Sequence, residues 1–136
     1  MTILVTGGLG YIGSHTVVEL LHHNFDVVVI DDLSNSEKFI KENIEKISGK
    51  KITFYPFDLR RKELLSQVFD AHEIEGCIHF AAYKAVGESQ EKPIDYYENN
   101  LFSLLNLLQE FKQRDISNFI FSSSCTVYGQ ADAMPI

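Results

Sequence analysis

The 136-residue sequence predicts an α/β fold, in which a doubly wound parallel sheet carries helices on both of its faces. Three observations lead to this prediction. Short apolar runs alternate with helix-like segments, as βαβ units require. The run "DVVVI" is apolar and β-branched after its first residue, which is typical of a strand buried on both faces. The opening run breaks into the spaced glycines of "TGGLGYIG" where a strand would pass into a helix.

Each element has its own signal in the sequence. The β-rich runs predict five strands: Thr2 to Thr6, Asp26 to Ile30, the segment "KITFYPF", Gly76 to Ala82 and Asn118 to Ser124. Apolar periodicity predicts helices over Tyr11 to His23, around Ile40, Ile44 and Ile47, over Glu63 to His72, and in a long segment with Leu101, Leu104, Leu105, Leu108 and Phe111 on one face. Pro56 places the end of the third strand near an edge or a loop. We therefore expect a Rossmann-like sheet of strand order 3-2-1-4-5, truncated after the fifth strand.

The charge balance excludes one class of partner. The chain carries 12 basic and 19 acidic residues, a net charge of −7, whereas nucleic-acid binding needs a basic surface. No apolar run is long enough to cross a membrane. Cys77 and Cys125 form no C-x-x-C motif, and the histidines form no metal-binding pattern. These observations predict a cytoplasmic protein with no nucleic-acid, membrane or metal partner.

The glycine loop predicts a phosphate site. Gly7, Gly10 and Gly13 lie between the first strand and the first helix, where backbone amides and the helix dipole converge. Three glycines after a strand could also make nothing more than a tight turn. Asp31, however, ends the second strand 18 residues beyond Gly13, at the position where an acid accepts from a ribose 2′-hydroxyl. Because no arginine follows Asp31 directly, NAD is favoured over NADP.

Three later stretches carry a family resemblance: "DDLSNS", "HFAAYKAVGESQEKP" and "FIFSSSCTVYG". Together with the glycine spacing they resemble the UDP-glucose 4-epimerase family, in the extended branch of the short-chain dehydrogenases/reductases. "KAVGES" is the most specific of these elements. The dehydratases of this branch carry a carboxylate after the fifth strand, and "SSSCTVYG" has none. Ala82 and Cys125 stand where the family often has glycine and alanine.

The resemblance implies NAD as a resident cofactor, a UDP-sugar substrate interconverted at carbon 4 through a 4-keto intermediate, and a homodimer. It also implies a role for Ser124, which would hydrogen-bond the reacting sugar hydroxyl. The implied cofactor-binding residues are Gly7, Gly10, Tyr11, Ile12, Gly13, Asp31, Asp32, Leu33, Ser34, Asn35, Ser36, Asp58, Leu59, Phe80, Ala81, Ala82, Tyr83, Lys84, Asn99 and Ser122.

Without the resemblance, several of these residues have simpler readings. Lys84 could be a solvated loop lysine, and the hydroxyls of Ser122 and Ser124 could satisfy loop backbone. His79 is expected to be a hydrogen-bonded core histidine. Cys125 has no histidine at a telling spacing, so we expect it to be a small packing residue and not a nucleophile.

The sequence lacks one residue pair that the family's chemistry uses. The family uses a Y-x-x-x-K pair, in which the lysine lowers the pKa of the tyrosine that acts as general base. None of the six tyrosines has a lysine four residues later. We therefore expect residues 1–136 to be the N-terminal part of an NAD-binding domain, inactive without a catalytic segment and a substrate domain. An epimerase or decarboxylase of another nucleotide sugar and a non-catalytic dinucleotide-binding protein stay open as alternatives.

Overall fold

The computed structural model describes residues 1–124 and residue 127. Its centre is one parallel sheet of strand order β3-β2-β1-β4-β5. The strands are β1 (Thr2–Thr6), β2 (Asp26–Ile30), β3 (Thr53–Tyr55), β4 (Ile74–His79) and β5 (Asn118–Phe121). The predicted fold class and strand order are confirmed.

Six helices connect these strands in the described part of the chain. They are α1 (Tyr11–His22), α2 (Phe39–Ser48), α3 (Lys62–Ala71), α4 (Val86–Glu91), α5 (Pro93–Tyr97) and α6 (Ser103–Gln113). A π-turn, Glu98–Phe102, joins α5 to α6 without a break, so one long helical segment precedes β5. This segment forms the crossover connection between the parallel strands β4 and β5.

Alternate strand residues face two separate cores. Ile3, Val5 and Val29 point to the side on which Val17 and Leu21 of α1 pack. Leu4, Val28 and Ile30 point to the other side, and there the core is completed by Leu65 and Phe69 of α3 and by Leu107 and Phe111 of α6. Burial of both faces explains the unbroken apolar sequence of β2.

Three strands end earlier than the sequence predicts. The third, expected over the segment "KITFYPF", ends at Tyr55, directly before Pro56. β4 was expected to reach Ala82 and β5 to reach Ser124, but they end at His79 and Phe121. The amide of Phe80 donates the last ladder bond, to the Thr6 carbonyl at 3.0 Å. Beyond Thr6 the first strand turns into the glycine loop, so β4 loses the hydrogen-bonding partner on its β1 side. β5 ends opposite His79, because β4 ends there.

The prediction for the apolar face of the long helix is wrong in part, because several of its leucines are not buried. Leu107 and Phe111 are buried, together with Ser103 and Glu110. The predicted residues Leu101, Leu105 and Leu108 are between 42% and 49% exposed. The segment therefore has two apolar stripes, and periodicity alone does not indicate which of them meets the sheet. The charge of the buried Glu110 is paired with Arg114, whose Nε lies 3.1 Å from the carboxylate.

Candidate functional site

A cleft of about 690 Å³ opens at the carboxyl end of the strands. This is the edge at which open α/β sheets bind their ligands, at the point where the strand order reverses. Here β1 lies between β2, which follows it in sequence, and β4, which returns on its other side. The glycine loop forms the floor of the cleft at this point.

Gly7 turns the chain at the end of β1. Its φ is +66°, in the left-handed region that favours glycine, and a Cβ there would lie 2.7 Å from the backbone nitrogen of Ala81. Only a residue without a side chain allows the loop to approach the segment after β4 this closely. Gly7 therefore brings two walls of the cleft into contact.

Gly10 and Gly13 place the start of α1 against this turn. Gly10 is the N-cap residue, and no side chain caps the helix. A Cβ on Gly13 would overlap the carbonyl oxygen of Gly7. The first N–H groups of α1 thus stay available at the cleft, where they and the helix dipole favour an anion. The side chains of Tyr11 and Ile12, which begin this helix, are exposed.

Asp31 is buried at the end of β2, with 8% of its surface exposed. Its Oδ2 accepts from the Leu9 amide of the glycine loop at 3.0 Å. Its Oδ1 accepts from the Leu33 amide at 3.0 Å and from the Ser36 hydroxyl at 2.7 Å. An ionised carboxylate has about four acceptor sites, so a further donor can still bind. The sequence predicted a ligand-binding acid; the structure adds that the same carboxylate anchors the loop.

Asp58 borders the cleft after β3 and is held by Arg60. Its two oxygens accept from the Arg60 amide at 2.8 Å and from the guanidinium at 2.6 and 2.8 Å. Partial burial raises the pKa of the Asp58 carboxyl, but the hydrogen bonds from Arg60 outweigh it and hold this pKa below its ordinary value. The carboxylate is therefore fixed in its charged form. The carbonyl of the neighbouring Leu59 accepts from Asn106 of α6 at 3.0 Å.

The opposite wall comes from the segment after β4 and from the long helix. Tyr83 and Lys84 line the cleft, and Asn99 reaches it from the π-turn with 7% of its surface exposed. Among the described residues, no carboxylate lies within ion-pair distance of Lys84. Its ammonium group is thus available to an anionic ligand.

Beneath this wall, a buried hydrogen bond joins the ends of β1 and β4. Thr6 Oγ1 and His79 Nδ1 are 2.6 Å apart, and both residues are almost fully buried. Burial lowers the pKa of His79 to about 4, so the ring is neutral at neutral pH. His79 is a hydrogen-bonded core histidine, as the sequence predicted.

The structure brings most of the predicted residues together around the cleft. The predicted residues that line it are Gly7, Gly10, Tyr11, Ile12, Gly13, Asp31, Asp32, Ser34, Asn35, Ser36, Asp58, Leu59, Phe80, Ala81, Ala82, Tyr83, Lys84 and Asn99. In the part of the chain that is described, Leu33, Ser122 and Ser124 do not line it. Leu33 instead packs against the core between the sheet and α1, with a φ of 61°. Cys125 lies outside the described residues.

Sequence reasoning missed several lining residues. These are Ile30, Phe57, Arg60, Ala85, Glu88, Lys92, Asp95, Tyr96 and Ser103. The backbone bond from Arg60 to Asp58 is an Asx-turn, which the aspartate itself could have indicated. Glu88 and Tyr96 lie on α4 and α5 and meet in a 2.9 Å hydrogen bond. Nothing in the sequence indicates that these short helices fold back over the cleft.

None of the helices in the described part of the chain combines the length and the apolar composition that a membrane span requires.

Comparison with known proteins extends these observations. Residues 3–136 match the NAD dependent epimerase/dehydratase family. The UDP-glucose 4-epimerase of Pasteurella multocida is 53% identical over 136 residues, which are 100% of this chain and 40% of that protein. A UDP-glucose 4-epimerase sequence from Klebsiella pneumoniae is 47% identical over 135 residues, 99% of this chain and 97% of that sequence.

The structural comparison agrees with the sequence comparison. The crystal structure of the UDP-glucose 4-epimerase from Bifidobacterium longum, in complex with NAD⁺ and UDP, superposes with a TM-score of 0.96 at 47% identity. The superposition covers 100% of this chain and 41% of that one. The chain thus spans about 40% of the length of the first of these relatives. On the family match, the sequence identity and the shared fold, the chain belongs to the NAD dependent epimerase/dehydratase family.

Proposed function

We propose that residues 1–136 form the NAD-binding part of a UDP-glucose 4-epimerase. The observation that carries the proposal is the pairing of Gly7 and Asp31 at one cleft. A Cβ would fill the cradle at Gly7, and the buried carboxylate of Asp31 lies beside it, bonded to the same loop. When bound, NAD would accept a hydride from carbon 4 of the sugar and return it to the opposite face.

The lining residues fit the parts of a dinucleotide. The uncapped backbone N–H groups at the start of α1 can donate to the pyrophosphate. They are needed because the chain's net charge of −7 does not attract an anion. Asp31 has acceptor capacity for the hydroxyls of the adenosine ribose, and Asp58 with Leu59 borders the adenine. Lys84 and Asn99 would line the part of the cleft that leads towards the nicotinamide. This assignment of roles is the one that the family resemblance implies.

Ser124 and Ser122 belong to the reacting end in this proposal. Ser124 would hydrogen-bond the sugar hydroxyl whose proton is removed, and Ser122 would lie near the nicotinamide. The general base is not among residues 1–136, since no tyrosine of the sequence has a lysine four residues on. We infer that the Tyr–Lys pair and the substrate domain belong to a longer polypeptide, and that residues 1–136 alone do not turn over UDP-sugars.

A chimera tests the activity directly. Residues 1–136 replace the matching segment of the Pasteurella multocida relative, to which they are 53% identical. We expect the purified chimera to interconvert UDP-glucose and UDP-galactose, and Ser124→Ala in it to lower turnover by about 10²-fold or more. A folded, NAD-loaded chimera without activity on any nucleotide sugar would favour a non-catalytic dinucleotide-binding role. Activity confined to another nucleotide sugar would favour the alternative epimerase.

Binding by residues 1–136 is tested separately by calorimetry. We expect Asp31→Ala to weaken NAD binding by about 10- to 100-fold, since a charged hydrogen bond is worth about 1.5–3 kcal/mol. Asp26→Ala is the matched control, because Asp26 lies exposed at the other end of the same strand. Equal losses in the two variants would contradict the assignment of Asp31.

We also propose that the protein works in the cytoplasm as a homodimer. The buried thiol of Cys77 is free, which suits a reducing compartment. The exposed stripe of Leu101, Leu105 and Leu108 on the long helix offers a self-complementary apolar surface. Light scattering of the wild-type chain and of Leu105→Lys tests the dimer, which we expect the lysine to dissociate. A monomeric wild-type chain would contradict this part of the proposal. Fractionation of cells that express the protein tests its location.

A further inference from the structure

The π-turn places two consecutive asparagines beside the cleft. Asn99 and Asn100 lie in Glu98–Phe102, between α5 and α6. Successive residues of an α-helix are about 100° apart around its axis. A π-turn closes i→i+5 hydrogen bonds and so holds more residues per turn, which brings neighbouring side chains closer in direction. Such turns occur frequently at functional sites.

Asn100 pairs with both backbone polar groups of Tyr83. Its Oδ1 accepts from the Tyr83 amide at 2.8 Å, and its Nδ2 donates to the Tyr83 carbonyl at 3.0 Å. Among the described residues, no other hydrogen bond reaches the backbone of residues 81–84. The segment between the last ladder bond of β4 and the start of α4 is thus held at one point, next to Lys84.

Asn100 also fixes the orientation of Asn99. The Nδ2 of Asn99 donates to the Oδ1 of Asn100 at 3.0 Å. Asn99 is buried and lines the cleft. This bond fixes the orientation of the Asn99 amide and uses one of its two N–H groups, so the second N–H and the carbonyl oxygen are not needed for it. One side chain therefore controls two lining residues, although it does not line the cleft itself.

We propose that Asn100 is the positioning residue for Lys84 and Asn99. It fixes the backbone that carries Lys84 at the cleft, so that only the Lys84 side chain has to be ordered when the dinucleotide binds. The inference deepens the proposed function and rests on NAD binding by this chain.

The first measurement needs no cofactor. Amide hydrogen exchange compares Tyr83 with Phe80, whose amide bonds the Thr6 carbonyl and not Asn100. We expect Asn100→Ala to speed exchange at Tyr83 and to leave Phe80 protected. Asn100→Asp keeps the acceptor, so Tyr83 should stay protected. Faster exchange at both amides would show general loosening and overturn the inference.

The second measurement is NAD affinity in a double-mutant cycle with Lys84→Ala. We expect Asn100→Ala alone to weaken binding about tenfold, as the loss of two hydrogen bonds would. In the Lys84→Ala background the same change should cost less than it does in wild type, because the part of the effect that acts through Lys84 is already lost and only the part that acts through Asn99 persists. If Asn100→Ala does not fold, Asn100→Asp, which loses the donor, enters the same cycle.

Asn118→Ala is the matched control. Asn118 Nδ2 donates to the Glu75 carbonyl at 3.0 Å, at the start of β5 and away from the cleft, so NAD affinity should stay within about twofold. If wild type binds NAD but the Asn100 and Lys84 effects multiply, or Asn100→Ala binds as wild type does, the inference alone is overturned. If wild type binds no NAD, the proposed function fails, and this inference with it.

Discussion

The two walls of the cleft differ in how firmly their polar groups are held. The β2 flank, residues 7–13 and 31–36, is centred on Asp31, which is buried and bonded to three donors. The β4 flank, residues 80–85, carries an exposed Lys84, and among the described residues the backbone of 81–84 is hydrogen-bonded only to the side chain of Asn100.

The difference indicates that the cleft is preorganised at one end. Groups already fixed by the protein lose little freedom when a ligand binds, whereas groups that must be ordered reduce its affinity. Adenosine is thus expected to find its site built on the β2 flank. The reacting end of the cofactor would meet a wall on which the backbone beside Lys84 is fixed by Asn100 but the Lys84 side chain still has to be ordered.

The largest effect expected is from Gly7→Ala, since Gly7 joins the two flanks. The left-handed φ costs about 1–2 kcal/mol, and overlap with Ala81 adds about 1–3 kcal/mol, so the free energy of unfolding should fall by about 3 kcal/mol in urea titration. Gly49→Ala has the φ of +70° without the overlap and should lose about 1 kcal/mol. Gly87 has neither a positive φ nor an overlapping neighbour, so Gly87→Ala should raise the free energy of unfolding by about 0.5 kcal/mol. Similar losses at positions 7 and 49 would show that the flanks do not need this close approach.

Acid should loosen the hydrogen bond between Thr6 and His79, at the ends of β1 and β4, because His79 is buried and neutral. Its pKa falls from 6.5 to about 4 on folding, so between these values the unfolded chain binds a proton that the folded chain does not. Stability is therefore complete above pH 6.5 and is lost as the pH falls towards 4. We expect a loss of about 2–3 kcal/mol between pH 7 and pH 4.5 in urea titration.

His79→Gln is the control for this loss, since it keeps a polar partner for Thr6 but does not titrate. Glu45, whose pKa is lowered from 4.5 to about 2 by Lys41 and Lys51, also starts to lose its stabilising contribution at the acid end of this window. It does so equally in the variant and in wild type, so the difference between the two proteins reports His79. An equal decline in the variant and in wild type would contradict the role given to His79.

Cofactor choice tests the β2 flank alone. The 2′-phosphate of NADP would face the Asp31 carboxylate instead of a cation, so we expect calorimetry to give NADP about 10- to 100-fold weaker binding than NAD. Asp31→Asn should narrow this ratio by removing the repulsion. Equal binding of both cofactors by wild type would contradict the placement of the ribose at Asp31.

The smallest difference is expected on the β4 flank. Replacing NAD by ADP-ribose removes the nicotinamide, which residues 1–136 hold with few fixed groups. The two ligands should bind within about threefold of each other, less than 1 kcal/mol. An affinity for NAD that is tenfold or more above that for ADP-ribose would show that the β4 flank is as well ordered as the β2 flank.

Sequence reasoning succeeded where local pattern and chain direction determine the structure. Alternating strands and helices predicted the order β3-β2-β1-β4-β5, because parallel strands need crossovers. The carboxyl ends of these strands then necessarily shared one edge, which brought Gly7, Asp31 and Lys84 to one cleft. The glycine spacing and the acid at the end of β2 were sufficient to predict the β2 flank.

The rest depended on tertiary contacts without a sequence pattern. The long helix has two apolar stripes, and the π-turn at Glu98–Phe102 fixes how it lies against the sheet, so Leu107 became buried and Leu105 exposed. Asp31 accepts a hydrogen bond from the glycine loop, and Asn100 accepts one from the Tyr83 amide. Each of these bonds joins residues that are far apart in sequence. No spacing rule predicts such pairs.

The hydrogen bond between Thr6 and His79 joins residues 73 positions apart in the chain. A ribosome that adds about 5–20 residues per second makes His79 about 4–15 s after Thr6. During that interval β1 can pair with β2, but its other edge has no partner and is open to strands of other chains. The strand that is central in the finished sheet is thus an exposed edge during synthesis. A chaperone that covers this edge during synthesis would prevent such pairing.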